Sequence, residues 1–221
     1  MSRQGTSFNE TAQGGNQPDK CQKVPIAARM AAPDPLGVSL LLETSQKTPN
    51  STKIFELINR GASLEETNAQ GATPLLVAVR GGHESLADMF IQRGANIDAA
   101  DHDGNTPLIL AVIAGSVKNV RDLTDKGAKL DHFNNLDRSA LMWAAALGRR
   151  EIAQILMRKG ADLHLKNSAG QTAYDLARQS ENHSLAAVLK AGVEQQKTPA
   201  VTRPSSAMTR AVQYKELPGK A

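Results

Sequence analysis

The feature that most constrains this chain is a repeat with a period of 33 residues. A Gly-Ala dipeptide returns at that interval at positions 61–62, 94–95, 127–128 and 160–161. Four further series keep the same interval: Thr73, Thr106, Ser139 and Thr172; Leu42, Leu75, Leu108 and Leu141, closed by Tyr174; Ala78, Ala111, Ala144 and Ala177; and Leu57, Phe90, Leu123, Leu156 and Leu189. Five series with one period indicate stacked copies of one small unit, each of which packs on its neighbours.

The third unit predicts the structure of each copy. Thr106 is a typical helix N-cap, and Pro107 suits the first helical position, where its missing N–H costs nothing. Gly115 is expected to end this first helix, and a second helix follows and stops at Gly127. Residues 129–135 are rich in Asn and Asp, which is typical of a polar, hairpin-like finger. Each unit is therefore predicted to be helix, turn, helix and finger.

The repeated segments include Gly-Ala-Thr-Pro-Leu at 71–75, Gly-Asn-Thr-Pro-Leu at 104–108, the Gly82-His83 pair, and closing segments at 94–98 and 160–163. These segments resemble ankyrin repeats. The resemblance implies an all-α ankyrin-repeat solenoid of about five helix-turn-helix units with hairpin fingers. The units are expected at about 38–67, 68–100, 101–133, 134–166 and 167–192. The first unit lacks the Thr-Pro start, and we interpret it and the last unit as atypical caps.

The two ends of the chain differ from this repeat region. Residues 1–37 and 193–221 show no periodicity and are rich in small, polar and Pro residues, so both are expected to be disordered tails. The repeat region holds equal numbers of basic and acidic residues, so the formal net charge of +4 belongs to the tails. This distribution argues against a folded nucleic-acid surface.

Composition also excludes several classes of function. The single cysteine, Cys21, allows no internal disulfide and no Cys-rich zinc module, and no two of the five histidines have the helical spacing of a metal motif. No apolar run approaches the roughly 18 residues that a membrane helix needs. We therefore expect no catalytic site, no metal, no cofactor, no nucleic-acid partner and no membrane insertion.

What remains is a binding surface for another protein. The resemblance implies that partners contact the finger tips and the exposed face of each first helix. The candidate contacts on that surface are Arg80, His102, Asp103, Asn105, Ile113, Phe133, Leu136, Arg138, Trp143 and Leu147. The apolar candidates cluster in the third and fourth units, as partner sites often do. Trp143 and Leu147 equally suit a core position between units, whereas Phe133 and Leu136 are harder to explain as core.

The predicted function is non-catalytic protein–protein interaction by a monomeric adaptor or regulatory binder in the cytoplasm. The alternative is a bacterial effector that is delivered into a host cell and binds a host protein through the same surface. The sequence does not separate these two functions.

Overall fold

The structure, a computed structural model, describes residues 34–197, which form ten helices and no strand. The helices are α1 (Pro35–Thr44), α2 (Ser51–Asn59), α3 (Pro74–Arg80), α4 (Glu84–Gln92), α5 (Pro107–Ala114), α6 (Val117–Asp125), α7 (Ala140–Ala146), α8 (Arg150–Lys159), α9 (Ala173–Gln179) and α10 (His183–Lys197). The tails predicted to be disordered lie outside the described residues over 1–33 and 198–221, and so does Cys21.

The ten helices form five antiparallel pairs that stack in chain order. Within each pair the two helices pack together, and the first helices α1, α3, α5, α7 and α9 each contact the next in line. The repeated alanines are completely buried between units, which lets neighbouring helices approach closely: Ala78, Ala111, Ala144 and Ala177. This arrangement confirms the predicted all-α repeat solenoid.

The period-33 hydroxyl residues begin the first helices as predicted. Thr73, Thr106, Ser139 and Thr172 are the N-caps of α3, α5, α7 and α9. In each case the side-chain oxygen accepts the backbone N–H three residues later, at 3.4 Å. A cap of this kind contributes about 1 kcal/mol to the stability of its helix.

The first unit begins earlier than its sequence suggested. Asp34 caps α1 with both carboxylate oxygens, and Pro35 occupies the first helical position, so α1 starts before the predicted boundary at residue 38. The helix has ten residues, against seven or eight in the other first helices. The helix also starts at Pro35, before residue 41, which lies one period before Pro74, so Leu42 falls near the end of α1 and is 65% exposed instead of occupying the buried place of Leu75.

The last unit ends later than predicted. Helix α10 runs to Lys197, beyond the expected boundary at 192, because no Gly-Ala pair closes it at the next period. Val193 packs against the core, and a Cβ on Gly192 would collide with Met157. The final helix is therefore held against α8 past the point where the tail was expected to begin.

Candidate protein-binding surface

Each finger is closed by an Asn or Asp side chain. These residues, which recur every 33 positions, are Asn68, Asp101, Asn134 and Asn167. In the first three the side-chain oxygen accepts the N–H groups two and four residues later, at 2.8–3.1 Å. Asn167 accepts the N–H of Gln171 at 2.8 Å. This series was not predicted, although its interval is that of the other five.

The finger that contains Asp101 is tied to the second unit by this side chain. The Asp101 side chain is 1% exposed, and its Oδ2 lies 2.5 Å from Nη2 of Arg80, which is 44% exposed. Asn105 donates to the same oxygen at 3.4 Å and accepts from Nδ2 of Asn134 at 2.8 Å. Arg80 and Asn105, both predicted as partner contacts, therefore also hold the second, third and fourth units together.

Successive fingers are joined edge to edge by backbone hydrogen bonds. The N–H of His102 donates to the carbonyl of Gln70, and the N–H of Asn135 donates to the carbonyl of Asp103, both at 2.9 Å. The His102 ring lies where any side chain on Gly71 would stand. His102 and Asp103 thus sit exposed on a continuous polar edge, where the sequence analysis expected them.

Phe133 lies in the finger before α7 but is less exposed than the sequence suggested. It is half-buried and packs against the hydrophobic core. The finger is anchored on both sides of it, since His132 donates through Nε2 to the carbonyl of Gly104 at 3.1 Å and Asn134 is buried. These anchors hold the Phe133 ring inward. Phe133 therefore also fits a core position, as Trp143 does, and its role as a partner contact stays a prediction.

Arg138 and Trp143 form one structural element at the start of the fourth unit. The Arg138 guanidinium carbon lies 4.8 Å from the centroid of the Trp143 ring, within the range of a cation–π contact. Trp143 is half-buried and packs against the core. Part of its ring therefore occupies the core position between units that the sequence also allowed. Its Nε1 atom is buried and has no hydrogen-bond partner among the described residues.

Exposed apolar side chains lie on the first helices and the finger of the same two units as this pair. Leu136 precedes Arg138 in the finger and is 66% exposed, Leu147 follows α7 and is 42% exposed, and Ile113 near the end of α5 is 36% exposed. Trp143 and Leu147 are four residues apart and lie on the same side of α7. We call Ile113, Leu136, Trp143 and Leu147 the apolar patch.

The second helices present a different surface. Arg121 on α6 pairs with Glu151 on α8 at 3.1 Å, and Asp125 on α6 pairs with Lys159 at the end of α8 at 2.5 Å. Exposed pairs of this type add little stability, but they occupy the charged groups of these helices. The apolar patch, by contrast, lies on the first helices and a finger.

The turn before α7 carries a residue that is unusual for its position. Asp137 has φ 56°, where Gly71, Gly104 and Gly170 occupy the equivalent place with φ of 72–73°. Its carboxylate accepts hydrogen bonds from Ser168 in the next finger, through the hydroxyl and the backbone N–H, and these bonds lower the pKa of Asp137. Asp137 thereby links the fourth and fifth units. Its left-handed backbone is less favourable for Asp than for the glycines at the equivalent positions.

Residues 34–197 contain no helix that is long and apolar enough to cross a bilayer. Over the same residues, no three His, Cys, Asp or Glu side chains are grouped so that they could hold a metal ion.

Comparison with known families accounts for this architecture. A family model described as ankyrin repeats (3 copies) matches residues 41–134, and a model described as ankyrin repeat matches residues 136–168. Together they cover more than half of the 221 residues. The chain belongs to the ankyrin repeat family. No curated protein matches the chain at a significant level.

Ankyrin repeats generally mediate protein–protein interaction, and proteins built from them are typically non-catalytic binding modules. The family models end at residue 168, and the helix pair of α9 and α10 extends the repeat stack beyond them. The exposed side chains of the fingers and first helices are therefore the groups of this ankyrin chain to consider for binding.

Proposed function

We propose that this ankyrin chain binds another protein, without catalysing a reaction, through the apolar patch of its third and fourth units. The observation that carries the proposal is the exposure of Ile113 on α5, Leu136 in the finger before α7 and Leu147 at the end of α7, the helix that carries the half-buried Trp143. Apolar side chains gathered on one surface cost free energy in water, and a partner that covers them recovers it.

The polar margin of the patch supplies orientation. His102 and Asp103 are exposed on the finger edge, and Arg138 stands over Trp143. Arg80 and Asn105 contribute less to binding in this proposal, because each is engaged with Asp101. The finger hydrogen bonds and the buried core order the surface before binding, so little conformational entropy is lost on association.

The test uses aspartate substitutions that remove apolar surface without disturbing the core. Leu136→Asp combined with Leu147→Asp is expected to lower the melting temperature only slightly, because neither side chain is buried: Leu136 is 66% exposed and Leu147 is 42% exposed. Each should weaken partner binding by about 2 kcal/mol, or about 30-fold, if it is an anchor. Phe133 is left intact, because it packs against the core.

Leu42→Asp is the matched control. Leu42 is as exposed as Leu136 but lies in the first unit, away from the patch. The full chain and its two variants serve as baits in lysate of the native cell, and bound proteins are identified by mass spectrometry. A protein kept by the full chain and by the Leu42→Asp variant, but lost by the double variant, supports the proposal. Loss from all variants, or none, contradicts it.

The cytoplasmic adaptor and the effector delivered into a host cell would use this same surface. Both remain predictions, and a translocation assay separates them.

A further inference from the structure

Arg138, beside the apolar patch, is a cation without a carboxylate partner in the described part of the chain. Arg138 forms no ion pair with any residue over 34–195, and its contact with Trp143 uses the aromatic ring. The Trp143 Nε1–H likewise finds no acceptor over those residues. Buried indole N–H groups usually have a partner, so this one marks an incomplete set of hydrogen bonds.

Two acidic groups, one in the same finger and one in the preceding finger, do not neutralise Arg138. The Asp137 carboxylate is turned to Ser168 in the next finger. Asp103 lies exposed in the preceding finger, and it forms no ion pair in the described part of the chain. At the other end of α7, the Arg149 guanidinium rests against Gly115 and is also without an ion pair there. Both ends of this helix therefore present an unpaired cation beside exposed aliphatic side chains.

A guanidinium held over an aromatic ring suits an incoming carboxylate. The ring restricts the arginine side chain, which lowers the entropy lost on binding, and its planar set of N–H donors matches the two oxygens of a carboxylate. When a partner covers Leu136 and Leu147, water is excluded near Arg138, and this would strengthen the ion pair between its guanidinium and the partner's carboxylate.

From this geometry we infer that the partner segment carries an Asp or Glu side chain flanked by aliphatic residues, with its carboxylate on Arg138 and its aliphatic groups on Leu136 and Leu147. The inference rests on the proposed function and specifies the chemistry of the partner.

The test selects peptides without assuming their sequence. A library of random 16-residue peptides displayed on phage is panned on the full chain, after depletion on the variant with Leu136→Asp and Leu147→Asp. We expect the retained peptides to be enriched in Asp or Glu next to Leu, Ile, Val or Met. A synthetic peptide of the enriched sequence, with an amidated C-terminus, is then titrated while the emission of Trp143, the only tryptophan of the chain, is recorded.

Three further titrations decide the role of the carboxylate. Replacing the acidic residue of the peptide by its amide should weaken binding about tenfold or more, because the charge-assisted bond is lost. Arg138→Gln should bind both peptides equally, and Arg138→Glu should prefer a peptide with Lys at that position. The melting temperature of each variant checks that the fold is kept.

The outcomes separate this inference from the proposed function. The inference that a partner carboxylate binds Arg138 would be refuted by retained peptides that are neutral or basic, or by an amide peptide that binds as well as the acid. Either result would still be consistent with binding by the apolar patch. Failure to retain any peptide that depends on Leu136 and Leu147 would count against both.

Discussion

Helix α6 buries an amide where the second, fourth and fifth units bury aliphatic side chains. Asn119 is 0% exposed, and neither its Oδ1 nor its Nδ2 atom has a hydrogen-bond partner in residues 34–195. Leu86, Ile152 and Leu185 occupy the equivalent place in the second, fourth and fifth units, and all three are buried. Asn119 is therefore a polar group in a site built for a hydrocarbon.

Replacing Asn119 by Leu should stabilise the chain. An unpaired buried polar group costs about 1–3 kcal/mol, and a buried Leu contributes about 1.5–3 kcal/mol relative to an exposed one. Leu is slightly larger than Asn, and crowding in a packed site removes part of this gain. We expect a net increase of about 2 kcal/mol in the free energy of unfolding, which for a domain of this size raises the melting temperature by about 4–8 °C.

The assay is urea unfolding followed by far-ultraviolet circular dichroism, together with calorimetry for the melting temperature. Leu86→Asn is the reciprocal control, since it places the same amide in the second unit, and it should lower the free energy of unfolding by about 2 kcal/mol or more. If Asn119→Leu left the stability unchanged or reduced it, the amide would be contributing to the native state, and the argument from its unpaired atoms would be refuted.

Two other predictions concern the acidic residues that hold the fingers. Asp101→Ala should cost about 3 kcal/mol in urea unfolding, because its buried carboxylate accepts backbone and guanidinium hydrogen bonds; exposed Asp103→Ala is the control and should cost almost nothing, and equal effects would show that Asp101 is not the anchor. Hydrogen bonds from Ser168, Ser63 and Thr172 lower the pKa values of Asp137, Asp34 and Asp175 in the folded chain. Their stabilisation is therefore present above the unfolded pKa of about 4 and is lost as the pH falls through the lower folded values. The melting temperature should fall between pH 5 and pH 2, and a constant value over that range would contradict the hydrogen bonds.

The features that recur every 33 residues could be predicted from the sequence, because each depends on short-range chemistry that is repeated from unit to unit. The four capping hydroxyls and the four buried alanines take the places that their period predicted. The finger series that includes Asn68 and Asp101 was equally available at the same period. It went unnoticed because Asn and Asp are common in loops, and their role appears only when the accepted N–H groups are known.

The candidate site depended on contacts between residues that no local rule relates. Arg80 was predicted to contact a partner, but in the structure it pairs with Asp101, 21 positions later, and stabilises the finger. The orientation of Phe133 followed from anchors on its flanking residues, and the register of α1 followed from a cap upstream of the predicted start.

The sequence by itself determined the repeat, the helix starts and the buried alanine series, since periodic spacing and capping chemistry act within one unit. Only the tertiary structure decided which side chains of the fingers and first helices remain exposed, because that depends on how each unit packs on the next. Leu136 and Phe133 lie three positions apart in one finger, yet one faces outward and the other packs against the core.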